Sequence, residues 1–223
     1  RDDTLLDSQP SSATINLNNA DSRFSPANTS SPLTGHVRQM RAVRLRGSNS
    51  AYKSLDAEVA ADSPLVYDRL GEPSGTTLQD SSGNGRNGTY TNAPTLAQTG
   101  ALAGDIDTAA LFAAASSQYA SVPDDAGLSI TGALTLEAWV KLANLGTQRS
   151  IIEKFDAGPL AGYYLRVTAA NVLEGATADG AGTTVLTGTT ALVAGTWYHV
   201  AYVFDGANHW LYIDAGQEAT AAN

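Results

Sequence analysis

The residues whose types and spacing could support chemistry begin with Asp80, Ser82 and Asn84, in the stretch "DSSGNGRNGTY" from Asp80 to Tyr90. Three hard oxygen side chains at alternate positions, with glycines that let the backbone fold round an ion, suit calcium. The same residues suit a tight turn, and the EF-hand spacing with its acid at the twelfth position is absent. A phosphate cradle would need a lysine followed by Ser or Thr after the glycines, then a helix whose amides face the anion. Here Thr89 and Tyr90 follow, and they favour a strand. A dinucleotide site fails likewise, because no strand-helix-strand unit surrounds the glycines. Metal loop and structural turn both stay open.

Hydrolysis of sugars calls for two carboxylates across a cleft. Glu137 in "LTLEAWVK" and Glu153 in "SIIEKF" lie on successive strand candidates, and each has a lysine nearby in sequence, Lys141 and Lys154. Ion pairing on a solvated face is the alternative to a shared cleft. No Gly-x-Ser-x-Gly elbow is present. The three histidines, His36, His199 and His209, lack the helical spacing and companion cysteines of a zinc site. No catalytic residue is assigned, and the chain is not expected to be an enzyme.

Aromatic residues offer a different chemistry, the stacking of sugar rings. In "HWLYID" the period of two puts Trp210, Tyr212 and Asp214 on one face and His209, Leu211 and Ile213 on the other. In "WYHVAYVF" it separates Trp197, His199, Ala201 and Val203 from Tyr198, Val200, Tyr202 and Phe204. Trp210, Tyr212, Asp214 and Tyr164 are the candidate ligand-binding residues. Packing in a sandwich core would use the same residue types equally well.

The elements that must position these residues are almost all strands. Short apolar runs rich in Thr, Val, Tyr and Trp recur between Gly, Asn, Asp and Pro, as in "ATINLN", "RAVRLR", "LVYDRL", "GTYT", "TAALFA", "QYASVP", "LTLEAWVKL", "RSIIEKF", "YYLRVTA", "NVLEGAT", "WYHVAYVFD" and "HWLYIDA". "ADGAGTTVLTGTTALVAG" reads as a Thr/Gly-rich hairpin. One short helix is expected over Leu55 to Ala61, stopped ahead of Pro64. Such a series of strands predicts an all-β sandwich or jelly roll.

Composition narrows the partners. The 223-residue chain has a formal net charge of -9, 16% charged residues and no cysteine, so disulfide and thiolate chemistry are excluded. The first 53 residues carry seven Lys/Arg against four Asp/Glu, and the remainder six against eighteen. An acidic body of this kind disfavours nucleic acid. The basic run "RQMRAVRLR" lacks the interleaved aromatics that would stack bases. No apolar run approaches the length of a membrane-spanning helix.

Residues 62–223 resemble a laminin-G-like, concanavalin A-like jelly-roll domain. The resemblance rests on "SPLVYDRLGEPSG", "DSSGNGRNGTY", "ALAGDIDTAALFAAASSQYASVP", "LSITGALTLEAWVK" and "GTWYHVAYVFDGANHWLYIDAG", which occur in family order. It implies an all-β jelly-roll sandwich with calcium held near the Asp-Ser-Ser-Gly loop. It also implies a closing strand beyond Asn223, so the jelly roll is expected to be C-terminally incomplete. Asp214-Ala215 stands where the family often has Asp-Gly, a change expected to be tolerated if the local φ is negative.

The segment "SSATINLNNADSRFSPANTSSPLTGHVRQMRAVRLRG" resembles minor tail or hub proteins of siphophages that infect actinobacteria. This resemblance implies a phage-tail component with residues 1–54 as a small N-terminal β segment and 55–223 as the jelly-roll domain. Arg38, Arg41, Arg44 and Arg46 would make assembly contacts in a homo-oligomer with other tail proteins, and the jelly roll would meet a cell-surface glycan or protein. The location implied is the virion. The alternative is a bacterial cell-surface adhesin or carbohydrate-binding module, or a non-catalytic accessory domain of a glycoside-active enzyme, placed outside the cell.

Overall fold

The computed structural model describes residues 55–102, 105–158 and 160–222. The chain divides between Asp62 and Ser63 into two units. In the first, helix α1 (Leu55–Ala61) occupies the expected place, with Asp56 and Glu58 in its first turn. Carboxylates there suit the positive end of the helix dipole. The expected strands "ATINLN" and "RAVRLR", together with His36, Arg38, Arg41, Arg44 and Arg46, lie outside the described residues.

The second unit is all-β. Its early part holds β1 (Thr77–Leu78), β2 (Gly88–Thr91), β3 (Thr95–Thr99), β4 (Thr108–Leu111) and β5 (Tyr119–Ser121). These form a small sheet of order β1-β2-β5 and a separate β3-β4 pair. The later part holds β6 (Leu134–Lys141), β7 (Arg149–Asp156), β8 (Ala161–Val167), β9 (Val172–Asp179), β10 (Thr183–Ala191), β11 (Trp197–Phe204), β12 (Asn208–Ile213) and β13 (Gly216–Ala222). They build two four-stranded sheets, ordered β10-β9-β8-β7 and β13-β12-β11-β6, with every neighbouring pair antiparallel. This is a jelly-roll sandwich.

The period of two decides what lies between the sheets. Leu134, Leu136, Val200, Tyr202, Phe204, Leu211 and Ile213 face inward from one sheet and meet Tyr163, Leu165, Val167, Leu173 and Leu186 from the other. Leu165, Leu173, Val200, Tyr202 and Leu211 are wholly buried. Each such side chain contributes roughly 1.5–3 kcal/mol of hydrophobic stabilisation. His209 is buried among them, with its Nδ1 2.7 Å from the Tyr202 hydroxyl and its ring stacked on Phe204 at 4.4 Å. The core therefore contains one imidazole satisfied by a neighbour.

One expected strand is absent, one strand lies outside the expected set, and the condition set on one turn is not met. "LVYDRL" forms no strand: Asp68 makes an isolated bridge with Asp80, and Leu70 takes a left-handed φ of 57° that ends the extension. "GQEATAA" forms β13, which closes one edge of the second sheet although it contains no aromatic or large branched residue. The turn after "LYI" does not have negative φ. Ile213 pairs with Gly216, which leaves Asp214 and Ala215 as a two-residue hairpin turn at φ 48° and 64°. Two-residue turns of this hand favour glycine at the second position, and alanine there pays the steric cost of its Cβ. Ala215→Gly is expected to stabilise the protein by about 1 kcal/mol, visible as a higher urea midpoint with an unchanged denaturant slope.

Candidate functional site

The outward face of the β13-β12-β11-β6 sheet gathers most of the aromatic residues that the sequence singles out. Register aligns Trp210 with Val203 and Thr135, Tyr212 with Ala201 and Glu137, and His199 with Trp139. Trp197 pairs with Lys141 at the end of the sheet, where the ammonium stands 4.8 Å from the indole centroid. Trp210, Tyr212, Trp197 and His199 are partly exposed, and Trp139 is more open at 37%. Trp139 and His199 lean on each other at 5.3 Å between centroids, and His199 Nε2 lies 3.7 Å from a Glu137 carboxylate oxygen. Ala201 lies at the middle of this face. Its small side chain, only 9% exposed, lies between Tyr212 and Glu137 in the paired register.

Asp214 borders the same face at the hairpin turn, where one carboxylate oxygen accepts the His199 backbone N–H at 2.9 Å. The carboxylate thus fastens β11 to the turn, and its residue stays exposed. Trp210, Tyr212 and Asp214 are brought together as their alternation predicts. Trp139, Trp197, His199 and Glu137 join them through strand pairing, which alternation within single strands does not reveal.

Tyr164 does not join them. It lies on β8, in the other sheet, and is 3% exposed. Arg166 covers its ring at 4.1 Å, Phe155 meets it edge-on at 5.4 Å, and its hydroxyl donates to Glu174 at 3.0 Å. Burial, with the Glu174 charge beside it, pushes the phenol up to about 12. This ring is a packed part of its sheet rather than an open platform.

Glu137 and Glu153 also part company. Glu137 belongs to β6 in one sheet, whereas Glu153 belongs to β7 in the other and pairs in register with Tyr164. Two carboxylates on different sheets cannot flank one glycosidic bond. Neither uses the lysine near it in sequence: Glu153 accepts from the Ser150 hydroxyl, Lys154 pairs with Asp124 at 2.5 Å, and Lys141 rests over Trp197.

The Asp80 loop is a tightly satisfied turn. One carboxylate oxygen of Asp80 accepts the N–H groups of Tyr67 and Ser82 at 3.1 and 2.9 Å. The other accepts the Ser82 hydroxyl at 2.8 Å and the Arg86 N–H at 2.9 Å. Burial works to raise this carboxyl, but the bonds from Ser82, Arg86 and Tyr67 outweigh it and bring the pKa down to about 2. Ser82 Oγ accepts from the Asn84 backbone, and Asn84 Nδ2 donates to the Pro64 and Leu65 carbonyls at 3.0 and 3.1 Å. Arg86 Nη1 donates to the same Leu65 carbonyl at 3.1 Å, and Nη2 reaches Asp125 at 3.1 Å.

Asp80, Ser82 and Asn84 do meet in space, but the Asp80 and Ser82 oxygens face N–H and O–H donors, Asn84 is held through its Nδ2, and the positive charge at the Leu65 carbonyl is the guanidinium of Arg86. This arrangement does not fit a cation ligand set. Among the described residues, no cluster of three or more His, Asp or Glu is placed to hold a metal. Nearby, a shallow depression is lined by Arg69, Glu72, Gln79 and Asp107. Its charges are already engaged: Arg69 and Asp107 form a two-point pair at 2.8 Å, and Glu72 accepts from Gln79 and the Tyr90 hydroxyl.

Comparison with known proteins bears on the sandwich. Residues 114–223 match a laminin-G-type family described as the concanavalin A-like lectin/glucanases superfamily. Among solved structures, an S-layer domain-containing protein of Clostridium thermocellum is similar at 21% identity and a TM-score of 0.43, over 70% of this chain and 71% of that one. A proposed carbohydrate-binding protein of Bacteroides ovatus is similar at 21% identity and a TM-score of 0.32, over 41% of this chain and 26% of that one. No curated protein matches the chain.

Proposed function

With a laminin-G/concanavalin A-like jelly-roll domain over residues 114–223 as the premise, we propose that this protein is a non-catalytic, lectin-like module that binds carbohydrate on the outward face of the β13-β12-β11-β6 sheet. The observation that carries the reading is the line Tyr212, Ala201, Glu137 across three paired strands, bordered by Trp210, His199 and Trp139. An aromatic ring supplies a flat apolar wall, the carboxylate accepts hydroxyl protons, and a sugar ring would lie across the small alanine between them. Sites that combine apolar area with a few placed polar groups are the usual form of small-ligand recognition. The glycan would belong to a cell surface or extracellular matrix.

The test is titration calorimetry on polysaccharides selected from a glycan array. Tyr212→Ala and Ala201→Leu, the second raising a bulky side chain between the two groups, are each expected to weaken binding about tenfold or more, equivalent to about 1.4 kcal/mol. Circular dichroism should show both variants folded. Equal binding by both variants, or no binding of the wild-type chain to any glycan, would overturn the reading. The finer proposal, that residues 1–54 anchor the module in a phage tail, draws support from the motif order within residues 12–47 alone. It predicts a ring-shaped assembly that is lost when Arg41 and Arg44 are replaced.

A further inference from the structure

The Asp80 loop carries two Asn-Gly pairs, Asn84-Gly85 and Asn87-Gly88, and the fold treats them differently. An Asn side chain is open to attack by the next backbone nitrogen, and a following glycine, with no Cβ, leaves that approach unhindered. At Asn87 both reacting groups are tied down. Its Oδ1 accepts the Asp80 N–H at 2.9 Å. Gly88 is a buried residue of β2, in register with Leu78 of β1, and the Ser121 carbonyl oxygen lies 2.7 Å from where a Cβ would stand. At Asn84 the nucleophile is open. Asn84 and Gly85 are exposed, Gly85 turns the chain at a φ of 72°, and a Cβ built there would meet nothing within 4 Å. Among the described residues the Gly85 N–H has no acceptor and the Asn84 Oδ1 has no donor. What holds Asn84 is its Nδ2, which donates to the Pro64 and Leu65 carbonyls at 3.0 and 3.1 Å and to Ser82 Oγ at 3.1 Å.

The structure assigns Asn84 as a self-modification site, where a neutral strap becomes a carboxylate. The Gly85 nitrogen gives its proton to water or hydroxide and bonds to Asn84 Cγ. Nδ2 takes up a proton and leaves as ammonia, and a cyclic imide joins the two residues. Water then opens the imide. Cleavage of the new C–N bond gives aspartate. Cleavage at the Asn84 backbone carbonyl gives isoaspartate, with the chain running through Cγ and one carbon longer. In the net change water is consumed and ammonia is released. Either product lacks the Nδ2 donors and sets a negative charge against two carbonyls. The Leu65 carbonyl keeps Arg86 Nη1 at 3.1 Å, whereas the Pro64 carbonyl keeps no donor among the described residues. The second unit begins at Ser63, so the conversion loosens the entry into the jelly roll. It does so whether or not the outward face of the sandwich binds sugar.

Peptide mapping by mass spectrometry, after incubation of the folded chain at mildly alkaline pH, reads both sites at once. Asn84 is expected to convert about tenfold faster than Asn87, whose attack must first break a hydrogen bond. In the urea-unfolded chain both pairs lose their folded surroundings, and the two rates should fall within about threefold of each other. Gly85→Ala puts a Cβ beside the attacking nitrogen and is expected to slow Asn84 about tenfold, with folding confirmed by circular dichroism. Asn84→Asp, which carries one product from the start, is expected to melt about 2–4 °C below wild type. An Asn84 still intact in the folded chain when the unfolded control has converted overturns the assignment. So do equal rates at both sites of the folded chain, or a rate indifferent to Gly85→Ala. Asn84→Asp melting together with wild type overturns the loss of the strap.

Discussion

Replacing Asp80 by alanine is expected to destabilise the protein by about 3 kcal/mol, because it removes the acceptor shared by four donors. The donors are the N–H groups of Tyr67, Ser82 and Arg86 and the Ser82 hydroxyl. Asp80→Asn should recover little, because its amide nitrogen would replace one of the two accepting oxygens. The pH dependence gives a second readout. Asp80 is lowered from 3.8 to about 2, so its stabilisation is fully present above about pH 4 and is lost as pH falls through 2.

Asp68, its bridge partner, behaves oppositely: burial, then repulsion from Asp80 and Glu72, raises it from 3.8 to about 6. Its contribution is present below about pH 4 and disappears as pH rises through 6. The pair sets a local optimum between those limits. Urea titrations at pH 2.5, 5 and 7.5 should show the Asp80→Ala deficit shrinking at the lowest pH. They should also show Asp68→Asn gaining about 2 kcal/mol at pH 7.5. Wild-type melting unchanged by EDTA is expected from the same geometry, because Arg86 already supplies the positive charge beside Leu65. A drop of several degrees on chelation would sink that account of the loop.

Gly175→Ala should be comparably damaging at the centre of the sandwich. Gly175 sits on β9 between Leu165 and Leu186, and a Cβ there would fall 2.4 Å from Tyr202 Cδ2 and 2.7 Å from its Cγ. Tyr202 is wholly buried and cannot swing toward solvent. Moving its ring would also break the 2.7 Å bond to buried His209. Overpacking together with an unsatisfied buried pair amounts to about 3 kcal/mol, a fall in melting temperature of roughly 6–12 °C for a domain of this size. Tyr202→Leu in the Gly175→Ala background should recover part of the loss by vacating the ring's space. If the double variant melts below both single variants, the contact between these two positions is not the cause.

The parts of the fold legible in sequence are the strands densest in aromatic and branched residues. β11 and β12 are such runs, so their existence follows from residue type and the period of two sorts their residues into two faces, both of them apolar enough that sequence leaves open which one is the core. β13 could not be read that way, because "GQEATAA" brings only Ala219 and Ala221 to the core and a Glu218 carboxylate that bonds Thr190, partners set by the tertiary fold. Tyr164 was misplaced for a related reason: alternation tells which face of a strand a residue occupies, but not which sheet the strand joins. In the Asp80 loop, residue types left metal and turn balanced. The deciding contacts come from Pro64, Leu65 and Asp125, up to 39 residues away from Arg86, and such distances are set by the tertiary fold.

The family match begins at residue 114, inside the second unit rather than at its edge. Cutting there would take β2 from β5, Asn92 from the Ser117 carbonyl, Gln118 from the carbonyls of Asn92 and Ala93, and Arg86 from Asp125. The stretch recognisable by ancestry is therefore shorter than the stretch that must be inherited intact. Recombination that moved this module between genes would preserve it only by carrying the segment from Ser63 onward as cargo. That poorly matched leader can diverge freely in sequence as long as it keeps the acceptors and donors that residues 114–128 require.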